Sequence, residues 1–257
     1  MARYVDSHVH LSDAEYAGEL DYTVSYMEHL DIAACAVSMD YVDSVRTLEI
    51  SGMGACILPF VGIHPERVAG PGMEDALRDT AVLAEQNADR IAGIGEIGLD
   101  PTYASDGRIP SGQVRAFEHM LELASRLGKP VSIHSRKSLE RVFDVMTSFD
   151  AERASLHWFD GNKRQLARAR DMGFYVSFGP VATYANDKQR LIELSDMDRI
   201  LVETDGPVRF SRCFELKAGH PCFVASVLHI IAEVRRMPFD STVDAVAKNS
   251  ANYLGTR

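Results

Sequence analysis

Residues 4–13 read YVDSHVHLSD, a β-prone run that closes on two histidines one residue apart. In an extended strand alternate side chains share a face, so His8 and His10 point to one place while Val9 packs the other way. A metal ion suits that geometry. Taken alone, however, the segment reads equally well as a strand end with two solvated imidazoles. What decides between the two is whether other strands along the chain end in the same chemistry.

Short β-prone runs recur seven more times: AACAVSM (33–39), ACILPFVGI (55–63), RIAGIGEIGL (90–99), PVSIH (130–134), RASLHWF (153–159), FYVSFG (174–179) and RILVETD (199–205). Between them lie stretches with apolar residues at helical spacing, among them 14–30, 73–86, 111–127, 137–148, 163–172 and 187–194. Strand–helix alternation predicts a parallel sheet with helices outside it. Eight such units in 257 residues match the size of a (β/α)8 TIM barrel, an α/β fold. No linker, low-complexity tract or charge block divides the chain, so residues 1–257 are expected to form one barrel domain. Two last helices, 221–236 and 241–254, are expected to close and cap the ring.

The composition is that of an ordinary globular chain, with 46% hydrophobic and 25% charged residues. A net charge of -10 argues against a broad electrostatic grip on nucleic acid, though a local basic patch remains open. Cys35, Cys56, Cys213 and Cys222 have no C-x-x-C spacing and are expected to be free thiols. There is no apolar run long enough to span a membrane and no secretory pattern at the N-terminus, so a cytoplasmic location is expected, with no obligatory protein partner evident.

Barrel enzymes build their sites at the carboxyl ends of the strands. There the ionisable residues gather: His8 and His10 after the first run, His64 after the third, Glu96 in the fourth, His134 after the fifth, His157 after the sixth, Glu203 and Asp205 after the eighth. His29, His119 and His229 fall in helices and read as solvated side chains; His220 lies in the long loop after the eighth strand. Imidazole and carboxylate without thiolate suit a catalytic divalent ion, not a structural zinc knot. More ligands than one ion needs suggest a pair of ions sharing a carboxylate.

The motifs DSHVHL, VGIHPE, GEIGLD, PVSIHSR, LHWFDG and ETDGP, in this order and spacing, resemble the TatD-type metal-dependent hydrolases of the amidohydrolase superfamily. The resemblance spans nearly the whole chain, including Asn249 in the terminal helix. It implies two divalent ions, zinc, manganese or magnesium. His8, His10 and Asp205 would hold one, His134 and His157 the other, with Glu96 bridging. Asp205 would also take the proton of the attacking water. His64 and Arg136 would face the substrate, and Glu203 would orient a ligand histidine from behind. The implied reaction is hydrolysis of phosphodiester bonds in DNA by metal-activated water, with Trp158, Phe159, Tyr103 and Tyr184 available to stack on bases.

Gly93, Gly95 and Gly98 also satisfy G-x-G-x-x-G, but Glu96 interrupts any phosphate turn and the setting is not a Rossmann unit. Asp100, just beyond, reads as an orienting residue or a helix-start acid. Several positions depart from the family pattern. Asp160 stands where serine or threonine is usual and would repel phosphate unless a metal or Lys163 offsets it; Glu66 replaces a frequent histidine; the loop after Asp205 differs. These departures keep a second reading open, a binuclear hydrolase of a small-molecule phosphoester, lactone or amide. Arg136, Lys137, Arg141, Lys163 and Arg164 near strand ends favour a phosphate-bearing ligand.

Overall fold

A computed structural model describes residues 2–68, 72–149 and 153–256. Eight strands, β1 (Tyr4–Val9), β2 (Ile32–Ala36), β3 (Ile57–Val61), β4 (Gly93–Gly98), β5 (Val131–His134), β6 (Ala154–Leu156), β7 (Tyr175–Phe178) and β8 (Ile200–Val202), lie in chain order, each parallel to the next. The helices run outside them: α1 (Leu20–His29), α2 (Tyr41–Ile50), α3 (Met73–Gln86), α4 (Ser111–Leu127), α5 (Leu139–Met146), α6 (Lys163–Asp171), α7 (Asn186–Leu194), α8 (Val224–Arg235) and α9 (Phe239–Leu254). This is a single-domain (β/α)8 TIM barrel, as the alternation of runs predicts.

The seam between first and last strands is closed by a side chain. Asp6 on β1 is fully buried; its carboxylate accepts from the Thr204 amide at 3.0 Å, from the Thr204 hydroxyl, and from the His8 amide at 3.2 Å. One residue further, the Asp205 amide donates to the His8 carbonyl at 2.9 Å. Burial raises the Asp6 pKa well above the ordinary carboxylate range, in spite of those donors.

Two helices differ from the sequence reading. Helix α2 was not marked there, since YVDSVRTLEI is rich in β-branched residues of low helix propensity. It forms because Asp40 caps it, accepting from the Asp43 amide at 2.9 Å, and because Leu48 and Ile50 bury against the barrel. The stretch 14–30 divides into a 3-10 turn, Ala14–Tyr16, capped by Asp13, and then α1.

The helices bury their apolar faces on the sheet, as with Phe117, Met120, Leu121 and Ala124 of α4. The lower end of the barrel is plugged by α9. Tyr253 packs on Phe60 and Tyr175, while Asn249 donates to the carbonyls of Met197 and Ile200 at 2.7 and 2.9 Å. With that end plugged, the site cavity opens at the carboxyl ends of the strands. The four cysteines are free thiols, and none of the described helices is long and apolar enough to cross a membrane.

Candidate metal centre

Glu96 sits at the centre of the upper rim, buried on β4. Its position depends on glycine neighbours: Gly98 adopts φ +144°, and a Cβ there would fall 2.1 Å from the His134 carbonyl oxygen. The glycines of GEIG thus let β4 press against its neighbours, which accounts for the G-x-G-x-x-G spacing without a nucleotide.

The two oxygens of Glu96 face different groups. Around Oε2, the Nε2 atoms of His8 and His10 lie at 3.4 and 3.3 Å, and 3.4 Å from each other. Both are also 3.5 Å from Asp205 Oδ1. Four donors around an ion at about 2.1 Å in a tetrahedron stand about 3.4 Å apart. These five separations match that value, and imidazole with carboxylate suits a divalent ion in chemistry.

Around Oε1, His134 Nδ1 lies at 2.6 Å, His157 Nε2 at 2.7 Å and His64 Nε2 at 3.5 Å. His134 Nδ1 is 3.3 Å from both other rings. His64, which the resemblance assigns to the substrate side, also lies within this second group, where His64, Glu96 and His134 could hold an ion.

Several residues hold these rings in place. Ser132 Oγ is 2.9 Å from His8 Nδ1, turning Nε2 inward. Asp100 Oδ2 takes His134 Nε2 at 2.9 Å while Oδ1 accepts from the Thr102 amide at 2.8 Å, so Asp100 fills both expected roles, orienting residue and cap. Glu203 accepts from the Trp158 amide at 2.7 Å and from the Ser177 hydroxyl, and its Oε1 is 3.8 Å from His157 Nδ1. It fixes the backbone beside His157 more directly than the ring itself. Trp158 takes a left-handed φ of 43° and Asp205 one of 48°, so two residues at the ligand rim hold backbone that favours glycine.

The carboxylates at the centre of the cluster are held ionised by the surrounding imidazoles. Burial opposes ionisation of Glu96, but His64, His157 and His8 outweigh it and hold the carboxyl well below its ordinary pKa. Asp205 is lowered in the same way, burial being overcome by His10, His8 and His157. For His10, burial is outweighed by Asp205 and Glu96, and its pKa is pushed up to about 10. His8, buried and stacked at 3.8 Å on the His157 ring, is shifted down by burial and by that neighbour.

A cavity of about 1060 Å³ opens over the cluster, walled in part by Tyr103, Arg136, Trp158 and Asp160. Phe159 is buried instead and Tyr184 packs under Arg212, so of the four aromatic candidates only Tyr103 and Trp158 face the cavity among the described residues. Asp160 is neutralised, but by Lys188 and not Lys163: the nearly buried Lys188 ammonium donates to Asp160 and, at 3.2 Å, to the Phe159 carbonyl. Lys188 sits inside an amphipathic helix, where its sequence carries no sign of that role. Ser132, by contrast, precedes His134 by two in β5 and shares its face, a signal that strand parity offered.

A parallel (β/α)8 barrel with imidazoles and carboxylates converging at its carboxyl rim is the architecture of a metal-dependent hydrolase. More narrowly, the chain belongs to the TatD-related DNase family, whose model matches residues 5–255. Similar proteins include human "Deoxyribonuclease TATDN3", 27% identical over 257 residues, covering 96% of this chain and 92% of that protein. The Bacillus subtilis "Uncharacterized metal-dependent hydrolase YabD" is 27% identical over 251 residues, covering 95% of this chain and 96% of its own length. Among solved structures, the Escherichia coli TatD homologue YjjV superposes with a TM-score of 0.90 at 22% identity, covering 100% of this chain and 99% of that one.

Proposed function

We propose that the protein is a DNA phosphodiesterase that works with two divalent ions shared across Glu96. The observation that carries this reading is the division of the Glu96 oxygens, one toward His8 and His10, which Asp205 also approaches, the other toward His134, His157 and His64. When bound, such ions lower the pKa of water and polarise a phosphoryl oxygen. Asp205, kept ionised beside the first group, accepts the proton of the attacking water at its carboxylate. Arg136 on the cavity wall offsets charge developing on the phosphate. The similarity to a protein named as a deoxyribonuclease, human TATDN3, supports the choice of bond.

The test is hydrolysis of single-stranded DNA, a small phosphodiester and a lactone by protein of counted metal content, with manganese or magnesium added to matched samples. Metal-dependent release of nucleotides from DNA is the expected result. Intact DNA alongside turnover of the lactone would favour the second reading, a small-molecule hydrolase, for which the unneutralised Glu66 on the cavity wall speaks.

A further inference from the structure

Four cationic side chains line the cavity: Arg46, Arg67, Arg136 and Arg209. Two are engaged by the protein itself. Arg67 lies 3.7 Å from Asp40, and Arg209 pairs with Glu15 and donates to the Leu216 carbonyl at 2.9 Å. Among the described residues Arg46 and Arg136 have no hydrogen bond or ion pair from their guanidinium groups. In a chain with 37 acids to 27 bases, an unpartnered cation facing a cavity needs an explanation.

For Arg46 the explanation is local. It lies on α2, and the acid one turn before it, Asp43, is turned back to accept from the Met39 amide at 2.8 Å. Asp40, which starts the helix, is spent on the Asp43 amide and on Arg67. The carboxylate at i−3, Asp43, is therefore committed elsewhere, position i−4 is Val42, and Glu49 at i+3 makes no ion pair with Arg46 among the described residues. The guanidinium stays available, with a fork of donors matched to phosphate oxygens.

We propose that Arg46 binds a second phosphate of the substrate, adjacent to the scissile phosphate that Arg136 faces. This rests on the phosphodiesterase reading. Arg46 lies on α2, between β2 and β3, and Arg136 follows β5; both line the same cavity, as two grips on one extended ligand require. The grip ends there, because the unpaired Glu66 occupies another part of the wall. A diester with one flanking phosphate, as at a DNA chain end or in a short fragment, gains from Arg46; further phosphates add nothing.

The experiment compares three deoxydinucleotides, one unphosphorylated, one with a 5′-phosphate and one with a 3′-phosphate, at matched metal content and several salt concentrations. The wild-type protein is expected to prefer one phosphorylated form by about tenfold in kcat/KM. Arg46→Ala should abolish that preference through KM, leaving kcat and turnover of the unphosphorylated dinucleotide unchanged, and should lower the salt dependence by about one contact. Arg46→Lys should restore part of it. Equal turnover of all three by wild type, or a preference that survives Arg46→Ala, overturns the role of Arg46 alone. If wild type cleaves none of them and leaves DNA intact, the phosphodiesterase reading fails and this inference with it.

Discussion

Replacing Asp100 by asparagine tests how the second half of the centre is built. The carboxylate holds His134 Nε2 at 2.9 Å and the Thr102 amide at 2.8 Å, and its pKa is lowered to about 2 because His134 and Thr102 together outweigh the effect of burial. A depressed acid stabilises the fold above its ordinary pKa near 4, and that contribution disappears as pH falls toward 2. After discounting for screening at the rim, the metal-free variant is expected to lose about 1–2 kcal/mol at pH 7, with the gap to wild type closing between about pH 4 and 2. In metal binding, loss of a carboxylate behind a ligand histidine costs about 10- to 100-fold in affinity. Calorimetric titration of chelator-stripped protein should therefore show one ion bound as in wild type and the other weakened by that factor. Two ions bound at wild-type affinity, with an unchanged pH profile of stability, would refute the orienting role.

Asp205→Asn should keep the fold while lowering hydrolysis by about 10²- to 10⁴-fold, read by steady-state kinetics at saturating metal; unchanged activity removes Asp205 as the base. Glu96→Ala should reduce the metal count by elemental analysis, and two tightly held ions in that variant would end the bridging assignment. His10, raised to about 10 in the metal-free protein, contributes stability that is complete below about pH 6.5 and lost as pH rises through 10. The same proton must leave when a cation binds, so the binding heat at pH 7 should vary with buffer ionisation enthalpy; no variation refutes a protonated His10. Gly98→Ala, which puts a Cβ against the His134 carbonyl at positive φ, should cost about 3 kcal/mol or more in chemical denaturation.

The barrel was legible because each buried parallel strand reads as a short apolar run and its carboxyl end carries the polar chemistry. Seven of the eight strands lie inside their sequence runs and β2 starts one residue before its run, at Ile32; most runs are trimmed where the polar ends turn away. Convergence of His8, His10, Glu96, His134, His157 and Asp205 followed from that placement. Helix α2 was hidden by β-branched residues, since tertiary burial and the Asp40 cap override propensity. Partners set by distant packing were not legible either: Lys188 reaches Asp160 from a helix whose period shows only an amphipathic face. Nor does sequence separate a free arginine from a paired one, and Arg46 differs from Arg209 only in where the neighbouring carboxylates are turned.

The Asp6 seam has a further consequence, for the order of events during synthesis. Asp6 and Thr204 are 198 residues apart, and the Asp205 amide reaches the His8 carbonyl across the same junction. The first group of donors therefore cannot exist in any partial chain that stops short of the eighth strand. A nascent polypeptide would carry His8 and His10 out of the ribosome long before their carboxylate partner, at emergence rates of about 5–20 residues per second. The full set of donors in this group is thus assembled only once the ring has shut.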